Sequence, residues 1–512
     1  DQDDATRKRV RELQEELIKI GQSFGKNIRE DVRELKLDSV ADLEGLPEDY
    51  IAAHPENDEG KVVLTTNYPD YVPYMTYARS DASRLAFYKE FRKRGYPKNL
   101  EVLDSLIAAR HELANLLGYR SWSHYVTEDK MIKTDTAARE FIEKIAEASR
   151  ARASKDYDVL LQHLRKTEPE VKSVGDWQKS FLEEEVKKAQ FSFDSQELRQ
   201  YFPYENVLNG ILDLTAEIFG VRYESVDVPL WHPSVRAYEM WQGDTLLGRF
   251  FLDMHPREDK YKHAAAFPIR TGVRGKQVPE AALICNFPGG GGGSPLMVHD
   301  QVVTFFHEFG HLIHHLFGGD HLWLGVSGFN TEWDFVEAPS QMLEEWAWSP
   351  KVLQRFARNS EGQAVPLELI DKMRKARDFG KGLRVAHQMF YASVSLHYYS
   401  EDPAKLDTTK SMQELQDKYS PFDYVDDTFF QLSFGHLDGY SAIYYTYMWS
   451  LVIAKDLFSV FGADGMMDSE IAGRYRRFVL APGGSIDAAD MVENFLGRPY
   501  SFDSFEQWLN AD

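Results

Sequence analysis

The 512 residues are 43% hydrophobic and 27% charged, the proportions of an ordinary globular chain, which exclude extensive disorder, collagen-like sequence and a disulfide scaffold. With 59 Lys and Arg against 81 Asp and Glu the formal charge is −22, a field that repels phosphate backbones and anionic lipid surfaces, so neither nucleic acid nor a membrane is an expected partner. At roughly 150 residues per domain the length allows about three domains, or one large body with lobes.

The first 220 residues read as successive helices. Val10, Leu13, Leu17, Ile20 and Phe24 follow 3,4,3,4 spacing and share one apolar stripe, with charged residues between them. Gly45-Leu-Pro-Glu-Asp49 marks a loop entering another helix, and residues 61–66 are a short candidate strand. Further helical patterns cover 80–93, 100–117, 136–164 and 176–190. From about Val221 the period changes. Residues 235–241, a turn at 242–244 and residues 245–254 form a candidate β-hairpin, and 264–269 and 281–287 are further candidate strands, the last expected to offer an edge that takes substrate by strand addition. The glycine run 289–293 lacks the Lys-Ser/Thr of a phosphate-binding loop and is expected to be a mobile loop. Helical patterns then continue to Trp508. Cys285 stands alone in an apolar run and is expected to be a buried, inert thiol; with no disulfide possible, a reducing compartment and a cytoplasmic location are expected. No stretch approaches the ~18 uninterrupted apolar residues of a membrane helix.

The informative segment is Val302-Val-Thr-Phe-Phe-His307-Glu308-Phe-Gly-His311-Leu-Ile-His314-His315. On a helix, His307 and His311 lie one turn apart on one face, where both imidazoles reach one metal ion, and Glu308 adjoins the first of them. That is the arrangement in which neutral imidazoles hold zinc and a carboxylate takes a proton from an activated water. The flanking Phe305, Phe306, Phe309, Leu312 and Ile313 make an incidental pair of solvated histidines a poor explanation. Zinc needs a third protein ligand, and spacing nominates Glu337 or Glu344, seven residues apart on one helix face. Pro339 belongs in a first helical turn, placing Glu337 near the helix start. Of the remaining residues, His299-Asp300 is expected to cap the entry to the histidine helix, and His314 is either a packed histidine or a hydrogen-bonding partner of a ligand.

His307-Glu-Phe-Gly-His311 followed by Asp334-Phe-Val-Glu-Ala-Pro-Ser-Gln-Met-Leu-Glu344 closely resembles the thimet oligopeptidase and neurolysin family of zinc metallopeptidases. The resemblance extends through Phe251-Leu-Asp-Met-His-Pro-Arg-Glu258, Lys260-Tyr261, Cys285-Asn-Phe-Pro288, His299-Asp-Gln-Val-Val-Thr-Phe-Phe306 and Phe434-Gly-His436 to Phe495-Leu-Gly-Arg498. It implies Glu337 as the third ligand of a single zinc ion. It also implies that His436, Tyr440 and Tyr447, in a tyrosine-rich stretch whose residues 440, 444 and 447 are spaced to share a helix face, bind substrate carbonyls or stabilise the oxyanion. The hinge before them has only Gly435 and Gly439, fewer glycines than the family commonly has.

The expected fold is mainly α with a small, mostly antiparallel β-sheet, an α+β protein with two helical lobes flanking a deep substrate channel and a zincin-like core. The expected parts are a helical lobe at 1–220, the sheet region at 221–290 and a helical zinc-binding region at 291–512, interwoven into one bilobal body. The expected function is zinc-dependent hydrolysis of internal bonds in short unstructured peptides by a monomer, with Glu308 as general base. The alternatives are a dipeptidyl carboxypeptidase and a catalytically silent zinc-stabilised peptide-binding scaffold. Family members usually carry an additional helical segment ahead of the matched stretch, so a shortened member or a trimmed chain is expected.

Overall fold

A computed structural model describes residues 3–290, 295–462 and 465–511. The described residues are mainly helical with two small sheets, as expected. They form two compact units, each assembled from two stretches of chain: Asp1–Lys187 with Phe379–Tyr445, and Lys188–Asp378 with Thr446–Asp512.

In the first unit the amphipathic stripe folds as expected. Helix Asp4–Glu30 buries Leu13 and Phe24, and Val10, Leu13, Leu17 and Ile20 pack against Ala109 and Leu113 of helix Asn99–Leu116. The long helices Asp135–Leu164 and Lys381–Tyr398 run against each other. The short strand β2 (Val62–Thr65) pairs antiparallel with β1 (Glu34–Leu37). Of the pair, β1 was not apparent in the sequence, because its Glu-Leu-Lys-Leu alternation covers only four residues and follows a helix without a turn signal.

The second unit holds the larger sheet. Its strands are β3 (Arg222–Ser225), β4 (Arg236–Gln242), β5 (Thr245–Asp253), β6 (Ala265–Arg270) and β7 (Glu280–Ile284), in the order β3-β4-β5-β7-β6. Only β5 and β7 pair in parallel. The β4–β5 hairpin closes through Gly243-Asp244, and Gly243 takes the left-handed φ of 55° that a two-residue turn requires. The expectation that the edge strand lies within 281–287 is corrected: β7 is hydrogen-bonded on both sides, and the edges are β3 and β6. β7 sits inside because Ala281, Ala282 and Leu283 are buried on both faces, whereas β6 is half-buried to exposed along its length.

One sheet face packs on helix His299–Phe317: Phe250 of β5 meets Phe309 edge-on at a centroid distance of 6.0 Å. The other face buries Val235, Ala237, Phe251 and Ala282. Cys285 follows β7 and is fully buried. Most of the glycine run at 289–293 lies outside the described residues. No helix among the described residues is long and apolar enough to cross a membrane.

Candidate active site

Helix His299–Phe317 is apolar nearly all round: Phe305, Phe306, Phe309, Leu312, Ile313 and Leu316 are at most 2% exposed. His307 and His311 occupy the strip left half-open, one turn apart, with ring centroids 5.0 Å apart. Against this strip lies the helix Glu337–Glu344. Glu337 opens it, and Pro339 falls in its first turn, where no backbone N–H is needed. The two helices meet at Gly310: a Cβ there would stand 2.7 Å from the Ser340 Cα. The glycine of the His-Glu-Phe-Gly-His run therefore permits the close approach that lets Glu337 reach both imidazoles.

Glu337 Oε2 lies 3.1 Å from His307 Nε2 and 3.0 Å from His311 Nε2. These three atoms are the cluster among the described residues with the spacing to hold a metal ion. Glu344, the other acid nominated by spacing, lies on the far side of the same ring, with Oε1 2.7 Å from His307 Nδ1. A carboxylate only accepts, so Nδ1 donates and the Nε2 lone pair is left for the Glu337 side. The seven-residue spacing thus brings both acids to His307, one on each nitrogen. Ser340 supports the buried Glu337, its Oγ 3.2 Å from Oε2 and 2.9 Å from the Glu337 carbonyl.

Burial opposes every charge here, and the neighbours decide the outcome. Burial pushes the His307 imidazolium down, but Glu337 and Glu344 outweigh it and leave it well above its ordinary range. Burial pushes Glu337 up, and His311 and His307 overcome that to hold it well below the usual carboxylate range. A negative oxygen facing two imidazole nitrogens demands a positive charge among them, from an extra proton or a cation. Glu308, 7% exposed, follows His307. Its burial pushes the carboxyl up against the pull of His307 and His311.

Other expected residues are distributed more widely. Tyr447 is the second residue of helix Thr446–Phe461, and its carbonyl accepts a hydrogen bond from Gln341 of the Glu337 helix at 3.0 Å. His436 and Tyr440 belong to the first unit. The shared helix face expected for residues 440, 444 and 447 is corrected: a helical turn covers only His436–Gly439, the helix starts at Thr446, and Ala442 between them has φ of 65°, which breaks the repeat. His299 and Asp300 lie in the first turn of their helix instead of capping it. The Val298 N–H is taken by Gln301 Oε1 at 3.1 Å, and His299 Nε2 donates to the Ala347 carbonyl at 2.8 Å. His314 is a packed histidine: it is fully buried, neither ring nitrogen has a hydrogen-bond partner among the described residues, and burial pushes its imidazolium down to about 3. His315 instead ties the helix to the end of β6, its Nε2 3.1 Å from the Arg270 carbonyl. Ser340 and Gly310 were missed as functional residues by sequence reasoning, although both stand inside the matched motifs.

Residues 74–511 match Peptidase family M3. Oligopeptidase A of Escherichia coli (strain K12) is 32% identical over 491 residues, covering 91% of this chain and 72% of that protein. A thimet-like oligopeptidase of Dictyostelium discoideum is 30% identical over 515 residues, covering 96% and 76%, and dipeptidyl carboxypeptidase of Escherichia coli (strain K12) is 29% identical over 489 residues, covering 91% and 71%. A solved structure of PZ peptidase A with an inhibitor shares the fold at a TM-score of 0.59 and 13% identity, over 98% of this chain and 77% of that one. The chain belongs to Peptidase family M3, and it is a metallopeptidase, a hydrolase of peptides.

Proposed function

We propose that this metallopeptidase is a zinc-dependent oligopeptidase that cuts internal bonds of short, unstructured peptides. The observation that carries the reading is the convergence of His307 Nε2, His311 Nε2 and Glu337 Oε2 beside the buried Glu308. Ligands ~2.0–2.1 Å from a tetrahedral zinc ion stand about 3.3 Å from one another, and the two nitrogen-to-oxygen separations of 3.1 and 3.0 Å are close to that. Two neutral imidazoles and one carboxylate, with one position left for water, are the donor set of a catalytic zinc site. Zinc held there supplies Lewis-acid chemistry, acidifying a water and polarising the scissile carbonyl.

The chain's own residues supply the rest. Glu308 takes the proton of the attacking water and returns it to the leaving amine. Glu344 holds the His307 ring in the tautomer that presents Nε2. Tyr447, Tyr440 and His436 donate to the substrate carbonyl or to the oxyanion that forms from it, the roles the family resemblance implies. The edge of β6 gives an extended peptide a strand to pair with.

Glu308→Gln is expected to retain zinc and bind peptide while losing hydrolysis by at least ~10²–10⁴-fold. The check is mass spectrometry of a mixed peptide pool with wild type and variant, before and after chelation and zinc add-back. Internal cuts that vanish with chelator and return with zinc support the reading. Wild-type cleavage by Glu308→Gln overturns the mechanism, and stepwise loss of C-terminal dipeptides, blocked by amidation, replaces the oligopeptidase with a dipeptidyl carboxypeptidase.

A further inference from the structure

The loop that carries His436 and Tyr440 is held by its main chain. Its two glycines do not make it loose in this fold: Gly435 has φ of −55° and Gly439 is not left-handed. The left-handed residue is Ala442, fully buried, and an alanine stays in that region only where its surroundings over-determine it.

Those surroundings centre on Arg110, 8% exposed on helix Asn99–Leu116. Its Nη1 donates to the Leu437 carbonyl at 2.8 Å and to the Tyr399 hydroxyl at 2.9 Å. Its Nη2 donates to the carbonyl and to Oδ1 of Asp438, at 2.8 and 2.9 Å. All four Nη hydrogens are thus committed, three of them directly to the loop. The Tyr399 hydroxyl in turn donates to the Leu437 carbonyl at 2.5 Å. The guanidinium lies 5.3 Å from the centre of the Trp122 ring, whose Nε1 donates to Ser441 Oγ at 2.9 Å, and Ser395 Oγ donates to the Tyr440 carbonyl at 3.0 Å. The carbonyls of residues 437, 438 and 440 are therefore all taken, and Leu437 is fully buried, while His436 and Tyr440 remain half-buried. Every anchor belongs to the same compact unit as the loop.

We propose that Arg110 is a positioning residue of the peptidase reaction: by fixing the main chain of Leu437 and Asp438 it sets where His436 and Tyr440 present their side chains. The inference rests on the reading in which those two side chains act on the transition state. A planar fork is what matches two adjacent carbonyls and a carboxylate, so charge alone does not replace it.

The test is steady-state cleavage of an internally quenched peptide by the zinc-loaded enzyme. Arg110→Gln is expected to lower kcat by about 10–10²-fold, the cost of a small misplacement of reacting groups, with KM little changed, and Arg110→Lys to fall comparably despite its charge. In a His436→Ala, Tyr440→Phe background the further loss from Arg110→Gln is expected to shrink to near nothing, because residues that act as one unit are not additive. Tyr399→Phe, which removes a single bond to the same carbonyl, gives the same pattern at smaller size and is read in its place where Arg110→Gln does not fold. An equal kcat loss in both backgrounds, or folded single variants with wild-type kcat, overturns the positioning role. Wild-type turnover by the His436→Ala, Tyr440→Phe enzyme itself overturns the underlying reading, and the inference with it.

Discussion

His307 is flanked by carboxylates on both ring nitrogens, and the two do different work. Glu337 shares its Oε2 with His311, while Glu344 meets only Nδ1. Partners of this kind fix the tautomer and raise ligand basicity, and their loss typically costs 10–100-fold in metal affinity. On the proposed zinc site, Glu344→Gln is therefore expected to weaken zinc binding by about 10–100-fold while leaving the fold intact, and Glu337→Gln, which would remove a ligand, is expected to cost far more. Competition titration against a chromogenic chelator checks the order. Equal affinities for Glu344→Gln and wild type would count against the orienting role. Nothing in the spacing alone separates these two acids, since both lie on one helix face; only the depth of each along that face relative to His307 does.

At the level of elements, the turn that follows the helix bearing Glu337 is tied to two other helices by a partly buried ionic cluster. Glu345, in the turn Glu345–Trp348, accepts from Lys455 of helix Thr446–Phe461 and, at 3.1 Å, from Arg377 of helix Leu367–Asp378. Burial pushes the Glu345 carboxyl up, but Lys455 and Arg377 prevail and hold it down at about 2, against 4.5 for a free glutamate. Burial dominates at Lys455, whose ammonium falls below its ordinary value despite the pairing. A carboxyl depressed in the folded state stabilises it above pH 4.5, and that contribution is lost as pH falls from 4.5 toward 2. Glu345→Gln, which removes the carboxylate that Lys455 and Arg377 share, is expected to be less stable than wild type by about 1–3 kcal/mol at pH 7, and urea unfolding curves should converge as pH falls below 4.5. A gap that stays constant from pH 7 to 3 would show that the cluster is not linked to folding in this way.

For the whole molecule, the charge of −22 bears on substrates as well as on excluded partners. A field of one sign steers oppositely charged ligands and is screened by salt within ~10 Å at 0.1 M. Matched cationic peptides are expected to show a higher kcat/KM than anionic ones at low ionic strength, the difference shrinking at 0.5 M salt. Equal turnover of the two at low salt would remove charge from the account of specificity.

Local physics made much of this protein legible from its residues. The 3,4 spacing of Leu13 and Phe24, the period-two hairpin around Gly243-Asp244, the one-turn pair His307 and His311 with Glu308, and Pro339 in a first turn all follow from interactions within a few residues of chain. What only the tertiary structure decided involves residues far apart in sequence, where burial and pairing outweigh local preference. It put β7 inside the sheet and β6 at an edge, because β7 pairs in parallel with β5 on one side and antiparallel with β6 on the other. It made His314 a fully buried, packed ring. It broke the tyrosine stripe at Ala442, where carbonyls claimed by Arg110 and Ser395 hold the chain in a path its own helical spacing does not favour. And it set Glu344 on one nitrogen of His307 and Glu337 on the other, a choice made by where two helices touch at Gly310.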